Sequence, residues 1–169
     1  MASGPARYVL DVLAADGMDD TAAVCRDRDE RPLALGRENA GKRGLANVRF
    51  EVGDALRAQS LAEVEPRPNI AVSSGFYDWI TDDGLVRESM RLLYDLLPDG
   101  GSFVFTNQSG HVDLEMTQAI FLDFHGEPLQ MKVRPADEVN AWAESAGFRV
   151  LDTLADEHGH YSVTRAEKH

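Results

Sequence analysis

The sequence predicts an α/β sandwich on a largely parallel sheet. Three observations carry this. Short apolar runs, "TAAVC" (21–25), "NVRFEV" (47–52), "NIAVSS" (69–74) and "SFVFT" (102–106), alternate with segments of helical period. Gly, Pro and Asp punctuate their borders. The last two runs, "FRVLDTLA" and "HYSVTRA", flank "DEHGH", which reads as an antiparallel hairpin turn.

The elements follow in order. In residues 5–15 apolar side chains fall at 8, 9, 10, 12 and 13, with polar ones at 7 and 11. A half-buried strand alternates with period two, and this segment does not, so it predicts a helix. Arg7 and Asp11 are spaced as a helical pair. Gly4 and Pro5 stand where a cap and first-turn proline belong, and Gly17 is a stop. Residues 33–43 predict a helix closed by Gly44. In 47–52, Val48, Phe50 and Val52 share a face. A helical turn near 58–64 leads to "EPRP". Residues 83–97 form the clearest amphipathic helix, with Leu85, Val86, Met90, Leu93, Leu96 and Leu97 inward. Residues 113–124 read as helical, and 135–147 as a helix with a proline start and a glycine stop.

Composition narrows the function classes. A chain of 169 residues fits one domain. Its net charge of −12, without a run of Lys or Arg, argues against nucleic acid and for a small-molecule substrate. The single cysteine, Cys25, allows no internal disulfide and suits a reducing cytoplasm. No apolar run approaches the roughly 18 residues of a membrane span. "MASGPARY" has no signal-peptide apolar region, so the expected location is cytoplasmic.

The order of motifs resembles the class I S-adenosylmethionine-dependent methyltransferases, which have a Rossmann-like fold. It is carried by an acid after "TAAVC", then "GLANVRFEVGDAL", "SSGFYD", "LLPDGGSFVFT" and the final "AESAGFRV" hairpin, across about residues 2–166. The chain is most similar to a bacterial methyltransferase family with members fused to an α/β-hydrolase domain, whose first helix looks like "GRYVLDAL". If Leu10-Asp11-Val12 were the first strand, 27 − 11 = 16 positions would reach Asp27. A loop, a helix and a strand need about 20. The resemblance therefore puts the glycine motif on "ASGPA", with Ala2, Gly4 and Ala6 at the three glycine places, and the family's first strand before Met1. The strands that would flank it then have open edges, which a homodimer or a partner chain could cover.

The resemblance implies S-adenosylmethionine as cofactor. It places the cofactor's ribose on Asp27, with Asp29 as competitor, because a carboxylate there can accept from both hydroxyls. It places the adenine on Gly53-Asp54-Ala55, although Asp54 also reads as a local turn cap. Gly4 belongs to the glycine loop, and Tyr8 could face the methionine part or simply pack. Ser74 and Gly75 follow a strand at the cofactor and substrate edge, where glycine permits close approach. Tyr77 could line the acceptor pocket or anchor the core with Phe76 and Trp79. His111 is a candidate general base, with His125 a weaker one. His158 and His160 point to opposite faces of a tight turn and predict no zinc site. Two alternatives stand beside a small-molecule methyltransferase. One is an inactive methyltransferase-like domain that binds a partner or serves structurally. The other is a binder of a different adenine nucleotide.

Overall fold

The computed structural model describes residues 1–15, 17–18, 20–123 and 126–169. His125 lies outside them, and the helix expected over 113–124 ends at Ile120, where Phe121 turns extended. By internal packing the chain divides into two compact units, Met1–Leu61 and Ala62–His169.

In the first unit, α1 (Arg7–Leu13) precedes β1 (Ala23–Asp27), α2 (Glu30–Lys42) and β2 (Val48–Val52). β1 and β2 pair in parallel, Ala23 against Val48 through Asp27 against Val52, with α2 as the helical crossover that a parallel pair needs. Residues 7–13 are helical, as periodicity predicted, but the start differs. Its N-cap is Ala6, in the left-handed region at φ 51°, not Gly4. Asp11 pairs with Arg43 at 2.5 Å rather than with Arg7. β1 runs two residues beyond the predicted "TAAVC", because its ladder with β2 continues to Asp27. Asp29 caps α2 by accepting the Arg31 N–H, which starts that helix three residues earlier than predicted. Gly44 follows the helix at φ 70°, as predicted. Ala6, Leu10, Cys25, Leu33, Ala40 and Phe50 form the core. Gly36 lets α2 approach β2, since a Cβ there would lie 2.3 Å from the Phe50 ring. Val52 is 58% exposed, so the predicted apolar face of β2 stops at Phe50. α3 (Ala58–Ala62) follows.

In the second unit, β3 (Ile70–Ser73), α4 (Asp83–Leu96), β4 (Ser102–Gln108), α5 (Leu114–Ile120), α6 (Ala136–Ser145), β5 (Phe148–Ala155) and β6 (Tyr161–Lys168) follow in order. The strand order is β3-β4-β6-β5. β3 and β4 are parallel, and β6 pairs antiparallel with both β4 and β5, so the predicted hairpin inserts its second strand beside β4. Asp82 caps α4 through the Gly84 N–H at 2.7 Å. Its buried face is Val86, Ser89, Met90, Leu92, Leu93 and Leu96. Leu85 is 44% exposed, against expectation, because the buried stripe runs 86, 89, 90, 93 and Leu85 falls one step off it. Phe103, Phe105, Phe148, Val139, Trp142 and Ala166 complete this core.

Among the described strands, β1 pairs only with β2 and β3 only with β4. Each unit thus has a strand edge of the kind the resemblance expects beside a first strand. On β1 part of that edge is used: the Ser3 N–H donates to the Arg26 carbonyl at 2.9 Å.

Candidate cofactor and acceptor residues

The first unit gathers most of the residues assigned to the cofactor. Ala2, Gly4 and Ala6 all take left-handed φ, at 45°, 51° and 51°. That region costs little for glycine and is strained for alanine. The loop therefore holds a left-handed backbone at all three places, two of them alanine. The Gly4 N–H donates to Asp27 Oδ2 at 2.9 Å, tying the loop to the end of β1. Asp27 Oδ1 accepts the Asp29 N–H at 3.0 Å. Each carboxylate oxygen has a second lone-pair direction. A Cβ built on Gly4 meets nothing within 4 Å, so the space beside the loop is open. Asp29 is engaged otherwise, in capping α2 and pairing with Arg31. The two acids thus differ in their partners: Asp27 holds the loop and Asp29 the start of α2.

Asp54 follows β2. Its Oδ1 accepts the Leu56 N–H at 2.9 Å, its Oδ2 lies 3.2 Å from Arg57 Nε, and its own N–H donates to Ser60 Oγ at 2.8 Å. The local-cap reading is thus realised, and the same bonds fix the carboxylate's direction. The Gly53 N–H donates to the Asp27 carbonyl at 2.9 Å, so Gly53 continues the ladder that positions Asp27. Ala55 is buried, and Tyr8 on α1 is 38% exposed.

In the second unit, Ser74 is half-buried and Gly75 exposed at the end of β3. Gly75 takes φ 65°, which glycine allows, and its N–H donates to Thr106 Oγ1 at 2.7 Å. Tyr77 is fully buried. Its hydroxyl lies 3.4 Å from Ser89 Oγ, and burial raises its pKa well above the usual phenol range. Of the two readings weighed for Tyr77, this is the core anchor. His111 is half-buried after β4, and its Nδ1 accepts the Asp113 N–H at 3.1 Å. That bond turns the Nε2 edge of the ring away from Asp113. Asp113 also caps α5 through the Met116 N–H at 2.9 Å. His158 and His160 have ring centroids 5.9 Å apart, and His158 Nε2 lies 3.3 Å from Glu157. Among the described residues no three His, Cys, Asp or Glu side chains converge as a metal site. Cys25 is buried, and burial pushes its thiol up to about 11.

Sequence reasoning missed Arg134 and Asp78. Arg134 is 2% exposed. Its guanidinium donates to the carbonyls of Tyr77 (2.9 Å) and Ile80 and to Asp83 Oδ1 (3.0 Å), while the Asn107 amide donates to its carbonyl at 2.7 Å. Asp78 Oδ1 accepts the Gln108 N–H at 2.9 Å, and desolvation raises its pKa despite that bond and nearby Arg134. These contacts join the segments that leave β3 and β4. Lys132 lies 2.7 Å from Asp83, and Lys132 and Arg134 hold that carboxyl below the usual range.

These features define a Rossmann-like α/β fold with a glycine-type loop facing a strand-end acid, the arrangement of class I methyltransferases. Residues 1–168 match the model of the family described as "Putative methyltransferase", and the chain belongs to that family. The Escherichia coli K12 protein YnbC is 34% identical over 98% of this chain, which spans 28% of YnbC's length. A SAM-dependent methyltransferase from Methanosarcina mazei superposes with a TM-score of 0.71 at 15% identity, covering 98% of this chain and 89% of that one. An O-methyltransferase family 2 protein from Planctomyces limnophilus, solved with apigenin, gives a TM-score of 0.71 at 20% identity, over 98% of this chain and 48% of that one. At those identities the likeness is one of fold. No described helix is long and apolar enough to cross a membrane.

Proposed function

We propose that this chain binds S-adenosylmethionine and transfers its methyl group to a small-molecule acceptor in the cytoplasm. The observation that carries the reading is the bond from Gly4 N–H to Asp27 Oδ2, within a loop whose residues 2, 4 and 6 are all left-handed. The residues fit the cofactor: the space at Gly4 is open and Asp27 keeps acceptor capacity for ribose hydroxyls. S-adenosylmethionine supplies a methyl group activated on a sulfonium. Asp27 takes the ribose, Asp54 and Ala55 the adenine, and Gly4 and Tyr8 flank the methionine part. Ser74 and Gly75 contribute backbone. His111, with Nδ1 held by the Asp113 N–H, presents Nε2 as the candidate general base toward the acceptor. Most of the acceleration then comes from proximity and orientation.

Calorimetry with S-adenosylmethionine and S-adenosylhomocysteine tests this. Binding is expected, and Asp27→Asn should weaken it about tenfold, or about 1.4 kcal/mol. No heat at millimolar ligand refutes the reading. The alanines at positions 2 and 6 favour a second reading, a methyltransferase-like domain that binds without turnover, because two of the three glycine places are not glycine. Binding without transfer from labelled cofactor to any acceptor would select it. The open edges of β1 and β3 support completion by a homodimer or partner chain, and sedimentation as a strict monomer counts against the dimer.

A further inference from the structure

Arg26 precedes the ribose-assigned acid on β1, and its side chain turns to the loop after β2. Its Nη1 donates to the Ser60 carbonyl at 2.5 Å, and its Nη2 lies 3.5 Å from the Val52 carbonyl. The guanidinium lies over Gly53: a Cβ there would sit 2.6 Å from Arg26 Cζ and Nε and 2.7 Å from Nη2. The Arg26 side chain is 11% exposed, and Glu51 lies 3.7 Å from its Nε. Ser60 completes a relay. Its carbonyl accepts from Arg26, while its hydroxyl accepts the Asp54 N–H at 2.8 Å. One cation thus links the end of β2 to the first turn of α3, across the segment that carries Asp54.

We propose that Arg26 is a positioning residue that sets the Asp54 carboxylate for adenine, and that Gly53 is glycine because the Arg26 guanidinium occupies the place of its side chain. The inference rests on the adenine assignment made above. Two features support a fixed role rather than a solvated strand charge. The guanidinium is enclosed, and its bonds go to main-chain carbonyls that stay in place whatever the side chains do. A lysine could not reproduce them, since one ammonium cannot span two carbonyls and also stack flat over an α-carbon.

A double-mutant cycle with two ligands and one ligand-free measurement tests this. The probes are S-adenosylhomocysteine and S-inosylhomocysteine, which differ in the adenine amino group that a carboxylate accepts from. The variants are Arg26→Ala, Gly53→Ala and both together. The wild type should prefer the adenosyl ligand. Each single variant should shrink that preference by about fivefold, and the double variant should be no worse than Arg26→Ala, because without the guanidinium a methyl at 53 has room. Amide exchange at Asp54, Leu56 and Arg57 should quicken in Arg26→Ala without ligand. Equal loss of both affinities, with the preference intact, overturns the positioning role. So does additive behaviour of the two substitutions. If the wild type binds neither ligand, the proposed function fails, and exchange alone decides the clamp: faster exchange supports it and unchanged exchange overturns it.

Discussion

The left-handed loop at Ala2, Gly4 and Ala6 can be measured as strain. A residue with a Cβ loses about 1–2 kcal/mol in that region relative to glycine. Replacing alanine by glycine removes this loss but widens the unfolded ensemble by about 0.4–1 kcal/mol. Mid-range values differ by about 0.8 kcal/mol, so Ala2→Gly should stabilise the protein by about that much. Ala6 adds a second effect. It is 1% exposed, packed in the core with Leu10, Leu33 and Phe50. Removing one buried methyl costs about 0.8 kcal/mol, so Ala6→Gly should land within about 0.5 kcal/mol of zero. Gly4→Ala is the mirror experiment. Its Cβ meets nothing within 4 Å, so only the backbone counts. It should destabilise by about 0.8 kcal/mol. Urea unfolding at a common slope of about 2 kcal/mol/M turns these values into midpoint shifts of about +0.4, 0 and −0.4 M. Far-UV circular dichroism is the right probe, since both tryptophans, Trp79 and Trp142, lie in the second unit. A destabilising Ala2→Gly, or a neutral Gly4→Ala, would show that the loop does not hold the left-handed backbone on which its likeness to a glycine motif depends.

Three further outcomes follow from the second unit. Arg134→Met removes a buried cation that serves the Tyr77 and Ile80 carbonyls and Asp83; it should cost about 3–5 kcal/mol. By thermal melting that is about 6–20 °C, and a fall under about 3 °C would show that these bonds contribute little. Asp83 has a folded pKa held below the ordinary range by Lys132 and Arg134, so its contribution is full above the unfolded value and is lost as pH falls through the folded one. Asp83→Asn should therefore flatten the acid limb of the stability curve below about pH 4, and an unchanged limb refutes the pairing. Tyr77→Phe removes a buried hydroxyl that lies 3.4 Å from Ser89 Oγ and also meets the Ser73 side chain; urea unfolding should show a loss of about 0.5–1.5 kcal/mol, with S-adenosylhomocysteine binding unchanged. A tenfold fall in binding would return Tyr77 to the site.

The residues assigned to the cofactor lie where local pattern is readable, unlike the segments that follow β3 and β4. Asp27, Asp29 and Asp54 sit just after apolar runs, where strand ends are readable from local pattern. The choice between Asp27 and Asp29 was not local. It depends on the Gly4 N–H, 23 positions away, and on which acid the α2 terminus takes as its cap. Arg134 escaped notice because an arginine between Val133 and Pro135 reads as a solvated charge. Its partners Tyr77 and Asp83 lie 57 and 51 positions earlier, and no local pattern records that. His111 was picked out by residue type alone, and the Asp113 N–H that its Nδ1 accepts comes from a turn that residue type does not record.

By itself the sequence determined the order of elements and the helical reading of "RYVLDVL", because periodicity and spacing are properties of the chain: too few residues separate Asp11 from Asp27 for a loop, a helix and a strand. The tertiary structure alone decided that Ala2 and Ala6 take a glycine's backbone, that Arg26 fills the space Gly53 leaves, and that Tyr77 is enclosed. Those outcomes depend on which groups meet across β1, β2 and α4, and a contact between distant segments has no period to announce it.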